Sequence, residues 1–275
     1  MGSGVAVVTD STAHLPRGLA ERCALTVVPL QIAVGGATRD DISTGEAAHE
    51  LNITTSRPSP TRFADAYRAA ADAGASEVVS VHLSAAMSGT VEAARLAADD
   101  APVPVRVVDS GTIGMALGFA VLSAAATALS GGTGEQAADA ALRRARLTRT
   151  LLYVDTLEHL HRSGRIGAAA TLLGSALMVK PLLDIADGRI EALEKVRTAT
   201  RALARLEELA VTEARDRRVD LGVQHLAAPS RADSLAARLR DRIPDVEDVH
   251  VGEVGPVIGA HVGPGMLAVV VAPHL

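Results

Sequence analysis

Three stretches of this sequence gather hydroxyl groups where the chain would turn from an extended run into a helix. Thr9-Asp10-Ser11-Thr12 follows the run Val5–Val8, and Thr54-Thr55-Ser56-Arg57-Pro58-Ser59-Pro60 precedes an Ala-rich stretch. His82-Leu83-Ser84-Ala85-Ala86-Met87-Ser88-Gly89-Thr90 joins a second β-branched run to a second Ala-rich stretch. Polar residues at the carboxyl end of a strand in an open α/β sheet stand where such sheets place ligands. The free N–H groups of a first helical turn, with the helix dipole, favour an anion. Helix capping accounts for each stretch alone, with Ser11 or Thr12, the hydroxyls before Pro60, and Ser88 as the caps. Two such helix starts at one sheet edge suggest a shared carboxylate or phosphate, which Gly89 would let approach the backbone closely.

The same residues admit a second chemistry. Ser88 as nucleophile with His261 as base would make a hydrolase, given an orienting acid such as Asp10 or Asp109 and an oxyanion hole. A small-molecule phosphotransferase is the related alternative, and a purely structural or regulatory interaction protein is a third. The sequence lacks Gly-x-Gly-x-x-Gly after a strand, a phosphate loop ending in Gly-Lys-Ser/Thr, and the Gly-x-Ser-x-Gly elbow. His49-Glu50 is followed by Ile53 where a zinc helix needs its second histidine.

The elements that must carry these groups read as alternating strands and helices, hence a largely parallel sheet with helices on both faces. Strands are expected at Val5–Val8, Thr26–Val34, Glu77–Leu83 and Val103–Val108. Helices are expected at Leu15–Cys23, Pro60–Ala73, Ser88–Ala98, Ile113–Leu129 and Glu135–Leu147. Near residue 150 the pattern changes, giving an expected N-terminal α/β domain over 1–150 and a second α/β domain over 151–275. The second half reads as a strand (Leu151–Val154) and helical segments at Glu158–His161 and Ala168–Met178. A hairpin (Leu182–Ile185, Ile190–Lys195) turns at Asp187-Gly188. A helix from Thr200 to Arg215, a strand (Val219–Leu226), a helix (Arg231–Arg242) and strands Val246–Val251 and Met266–Val271 follow.

Composition narrows the function. The apolar fraction is 48%, yet there are two Phe, two Tyr and no Trp, so the core is built from Ala, Val, Leu and Ile. Few aromatics and a net charge of -5 argue against nucleic acid, whose bases stack on rings and whose phosphates need excess Lys and Arg. A single cysteine, Cys23, excludes an intrachain disulfide. No run supplies the ~20 apolar residues of a spanning helix, and Met1 leads into Val5 without a basic segment, so a cytoplasmic protein is expected.

In order and spacing these motifs resemble the DegV family. In the first half the resemblance rests on Thr9-Asp10-Ser11-Thr12, Val28-Pro29-Leu30, Thr55-Ser56-Arg57-Pro58-Ser59, Leu83-Ser84 with Ser88-Gly89-Thr90, and Val108-Asp109-Ser110. In the second half it rests on Gly164-Arg165-Ile166, Lys180-Pro181, Asp187-Gly188, Glu194-Lys195-Val196-Arg197 and Gly259-Ala260-His261-Val262-Gly263-Pro264-Gly265. It implies a two-domain α/β fold distantly related to dihydroxyacetone kinase domains. It also implies a non-catalytic protein that holds a long-chain fatty acid such as palmitate in a buried tunnel, with no metal or cofactor. Some members present that acid to a separate ATP-binding fatty-acid kinase subunit, and transient membrane contact belongs to the same expectation. Position by position, the resemblance gives Thr55 and Ser88 to the carboxylate, with Ser56 and Gly89 in the same two loops. It brings His261 to the head group from the second domain and places Arg165 and Arg197 in family motifs, where arginine chemistry makes partner or phosphate contact the expectation. Arg57 stands where the family often has Gln, and Val91 where it often has Tyr.

Overall fold

A computed structural model describes residues 4–16, 18–41, 53–172 and 179–275. Its described residues divide into two compact units, one within 4–41 and 54–146 and the other comprising Ile53 and residues after 146.

The first unit contains the strands β1 (Gly4–Asp10), β2 (Leu25–Val28), β3 (Gln31–Val34), β4 (Ala37–Asp40), β5 (Thr54–Ser56), β6 (Ala75–His82) and β7 (Val105–Asp109). Its helices are α1 (Leu19–Arg22), α2 (Pro60–Asp72), α3 (Thr90–Ala98), α4 (Met115–Leu129) and α5 (Gly134–Leu147). Strands β2-β1-β6-β7 form an all-parallel sheet, and β4-β3-β5 form a small antiparallel one. Alternation along β1 and β6 sends Val8 and Val78 to one face, where they bury against Phe63, Tyr67, Ala93, Ala94 and Ala97 of α2 and α3. The small alanines of α3 let it lie close on the sheet. On the opposite face α4 packs on β1 and β6, and nine of its residues are buried.

The second unit contains β8 (Arg149–Tyr153), α6 (Glu158–Arg162), β9 (Lys180–Ala186), β10 (Arg189–Val196), α7 (Ala199–Ala214), β11 (Val219–His225), α8 (Pro229–Arg242), β12 (Val246–Glu253), α9 (Pro256–Val262) and β13 (Leu267–Pro273). Its sheet runs β10-β9-β8-β13-β11-β12, with only β11 and β12 parallel. Asp187 and Gly188 both adopt positive φ, 49° and 74°, as a two-residue hairpin turn requires. Thr198 caps α7 by accepting from Arg201 N at 3.3 Å.

Several expected boundaries shift. The run Thr26–Val34 is two strands in different sheets, because Pro29 lacks a ladder donor and Leu30 N–H turns to Ser11 Oγ at 3.1 Å. The helix expected at Leu15–Cys23 is a 3-10 turn at Ser11–Ala13 and the single turn α1, interrupted by Pro16 and by Gly18 at φ 74°. Gly167–Leu172 is a 3-10 helix rather than the start of an α-helix, and 173–178 lie outside the described residues. Helix α9 was not expected, since Gly259 and two valines in seven residues give a weak helical pattern.

Candidate functional site

The carboxyl edge of the parallel sheet is organised around one buried carboxylate. Val8 pairs with Ser80, a register that carries Asp10 to the level of His82. Asp10 Oδ1 accepts Thr12 N at 3.0 Å and Thr12 Oγ1 at 2.5 Å. Its Oδ2 lies 3.0 Å from His82 Nδ1 and accepts Leu83 N at 3.0 Å. Asp10 thus ties the turn after β1 to the turn after β6, and it, not Ser11 or Thr12, caps the 3-10 turn. As Asp10 is an acceptor toward its other partners, His82 donates from Nδ1 and accepts Ser80 Oγ–H at Nε2, 2.7 Å away. Tyr67 donates to Ser80 Oγ at 2.9 Å, and burial pushes its phenol up to about 12. Tyr67, Ser80, His82, Asp10 and Thr12 are all fully buried.

This Asp–His–Ser chain has the connectivity of a hydrolytic triad; its acid, Asp10, is one of the two the sequence offers, but its histidine and serine are His82 and Ser80 rather than His261 and Ser88. Ser80 is sealed under Tyr67 and meets no solvent, so the chain holds the strand ends in place. Ser88 Oγ instead bonds Thr90 Oγ1 at 2.8 Å. Asp109, the other candidate acid, accepts two backbone donors, Ala85 N at 3.1 Å and Gly111 N at 3.0 Å.

The 83–89 loop is therefore held from several sides. Besides Leu83 on Asp10 and Ala85 on Asp109, Ser84 N donates to Thr112 O at 2.8 Å and Ser88 N to Ser84 O at 3.1 Å. Helix α3 begins two residues later than expected, with Gly89 as N-cap and no side-chain cap. Ser88 is thus not the cap the sequence suggested, and its half-buried hydroxyl stands before the helix. Thr55 lies in β5, opposite Ile32 of β3, in the extended segment that leads into α2. It is half-buried and Ser56 is exposed. Arg57 joins the two loops: its Nη1 donates to Glu92 Oε2 at 2.8 Å and to Gly89 O at 3.4 Å. Any Cβ at position 89 would collide with that guanidinium, so the space left by Gly89 is filled by Arg57.

In the second unit another carboxylate plays a similar part. Asp155, after β8, accepts Tyr153 Oη at 2.5 Å and Lys180 Nζ at 3.1 Å, while Lys180 also donates to Asp155 O at 2.9 Å. Burial opposes the charge on Asp155, but the hydrogen bonds from Tyr153 and Lys180 outweigh it and hold the carboxyl below its ordinary range. Burial and that same carboxylate push the Tyr153 phenol up. Gly263 and Gly265 have φ 75° and 84°, and a Cβ would strike His159 at the first and Asp155 at the second. These contacts fix the turn after α9, and His261, in the last turn of that helix, is partly buried. Burial, aided by the nearby Arg165 cation, lowers the His261 imidazole to about 4. Arg165 is exposed and donates to Ser163 O at 2.6 Å, and Arg197 is exposed between β10 and α7.

A family model described as "Uncharacterised protein, DegV family" matches residues 4–274. The chain belongs to the DegV family. A DegV domain-containing protein of Streptomyces coelicolor, SCO2569, is 56% identical over 279 residues, covering 99% of each chain. A Mycobacterium bovis DegV domain-containing protein, Mb2440c, is 38% identical over 97% of this chain and 96% of its own. Among solved structures, a DegV family protein from Thermus thermophilus, described for its fatty acid binding, superposes with a TM-score of 0.91 at 33% identity. That match covers 98% of this chain and all of the other. DegV from Bacillus subtilis, described as a fatty acid binding protein, gives 0.91 at 29% identity over 99% and 100% of the two chains. The two-domain DegV-like α/β fold expected from the motifs is the fold observed.

Sequence reading missed the buried Tyr67–Ser80–His82–Asp10 chain. Its one legible signal is Ser80-Val81-His82 inside a β-branched run, since residues two apart on a strand share a face. The Arg57–Glu92 pair spans 35 positions and left no such signal.

Proposed function

We propose that this DegV protein binds a long-chain fatty acid, with Thr55 and Ser88 hydrogen-bonding its carboxylate and Ser56 and Gly89 completing the two loops. The observation that carries the reading is that Arg57 Nη1 reaches Gly89 O and Glu92 Oε2, so the Thr55–Arg57 segment lies beside the Ser88–Thr90 turn. The described binding of fatty acid by the Thermus and Bacillus relatives supports the ligand class.

The physical chemistry is consistent. Burying ~15 methylenes at about 0.8 kcal/mol each offers on the order of 12 kcal/mol before association and ordering costs. The tail supplies affinity and the aliphatic interior supplies its environment. The carboxylate needs donors, which hydroxyls provide without a dedicated counter-charge. The protein is a cytoplasmic, cofactor-free and non-catalytic carrier that presents the carboxylate to a separate kinase subunit, with Arg165 and Arg197 facing that partner.

The test is to denature purified protein, extract it and identify lipid by mass spectrometry. One fatty acid per chain is the expected result. Extracts repeatedly free of fatty acid, with no uptake of added palmitate or oleate, would overturn the proposal. Ester or ATP turnover that survives repurification would overturn its non-catalytic part.

A further inference from the structure

The position of Arg57 poses an electrostatic question. A guanidinium beside a site for one negative charge would ordinarily bind that charge directly. Here it is engaged elsewhere: its Nη1 is 2.8 Å from Glu92 Oε2, with 45% of the Arg57 side chain and 70% of the Glu92 side chain exposed. Glu92 occupies the first turn of α3, two residues beyond Thr90. A carboxylate in that turn draws on the same positive helix end that an incoming anion would use. Arg57 follows Thr55 by two residues, and Glu92 follows Ser88 by four, so the pair bridges the two hydroxyl loops and carries no net charge.

We infer that Arg57 and Glu92 are a charge-balancing pair that sets the head-group charge this site prefers. Glu92 keeps Arg57 from acting as a fixed counter-ion, and Arg57 cancels the repulsion Glu92 would exert on a carboxylate. The pair leaves the hydroxyls to hold a singly charged head group reversibly. The inference rests on the carboxylate reading above. It makes an unusual demand: neutralising either partner alone must move affinity in opposite directions, and neutralising both must restore it. Exposed ion pairs contribute little to stability, so the folded protein tolerates all three changes.

The experiment titrates the delipidated wild-type protein, Glu92→Gln, Arg57→Gln and the double variant with palmitate, hexadecanol and monohexadecyl phosphate at low ionic strength. One rim charge near an anion changes affinity by about three- to tenfold. Glu92→Gln should therefore bind palmitate about three- to tenfold more tightly, and Arg57→Gln should bind it more weakly by a similar factor. The double variant should return to within about twofold of wild type. Hexadecanol, which has no charge, should be insensitive to all three changes. The dianionic phosphate should gain more from Glu92→Gln than palmitate does, and both gains should shrink with added salt. Unchanged or weaker palmitate binding by Glu92→Gln, with wild type still preferring palmitate to hexadecanol, would overturn the charge pair and leave the carboxylate reading standing. Equal binding of palmitate and hexadecanol by wild type would overturn both.

Discussion

Replacing Asp10 by Asn tests whether the edge of the parallel sheet is held as described. The change is nearly isosteric, but it turns one acceptor oxygen into a donor. Asp10 takes four hydrogen bonds, two on Oδ1 from Thr12 and two on Oδ2 from His82 and Leu83. With the remaining oxygen kept on Thr12, the new amide would face two N–H groups. His82 can relieve its half by moving its proton to Nε2 and donating to Ser80. Ser80 then donates to Tyr67, whose hydroxyl turns to Ala94 O at 3.4 Å. Leu83 N–H has no such escape. A buried unsatisfied donor costs ~1–3 kcal/mol, and the loss of charge assistance brings the expected destabilisation to about 2–4 kcal/mol. At about 2–4 °C per kcal/mol for a chain of this size class, the melting temperature should fall by roughly 5–15 °C. Urea unfolding followed by circular dichroism gives the free energy, and the ¹⁵N spectrum of His82 should change from the Nδ1–H to the Nε2–H tautomer. A variant within about 0.5 kcal/mol of wild type, with an unchanged tautomer, would refute the assigned role of Asp10.

Other outcomes follow from the same contacts. His14 and His261 are lowered from about 6.5 to about 4, His14 by burial against the pull of Asp10, His261 by burial and Arg165. Below pH 6.5 the unfolded chain takes up protons that the native state refuses, so stability should fall between pH ~6.5 and ~4 and be flat in this respect above ~7.5. Each ring contributes at most ~3 kcal/mol, reduced by its partial solvent contact, and His14→Asn with His261→Gln should flatten the dependence in urea titrations. Gly265→Ala places a Cβ against Asp155 at φ 84°, and it should cost about 2–4 kcal/mol in unfolding measurements, whereas Gly35→Ala, at φ 57° in open space, should cost only ~1 kcal/mol.

What the sequence made legible follows from the range of the interactions involved. The strands β1, β6 and β11 and the helices α2, α4, α5, α7 and α8 lie within a few residues of their expected bounds, because β-branched runs and alanine-rich periodicity are local signals. The hairpin at Asp187-Gly188 is equally local. Pro29 is legible as a breaker, but the partner that takes Leu30 N–H out of the ladder lies 19 positions away and is not. The residue type of Ser88 points to a cap, whereas α3 starts from Gly89 and the Ser88 hydroxyl bonds Thr90 Oγ1. The links between loops, Asp10 with His82 and Arg57 with Glu92, join positions 72 and 35 apart, and pattern along the chain carries no record of them.

The central claim is that two hydroxyls hold one fatty-acid carboxylate, and the affinity of Ser88→Ala, Thr55→Ala and the double variant for palmitate tests it most directly. Affinity and melting temperature should be measured on the same samples. A hydrogen bond to a charged group contributes ~1.5–3 kcal/mol, so each single change should weaken binding about ten- to a hundredfold. The double variant should lose less than the sum, because both groups serve one anion. Palmitate affinity that stays at the wild-type value in all three variants, whatever the change in melting temperature, would contradict the account.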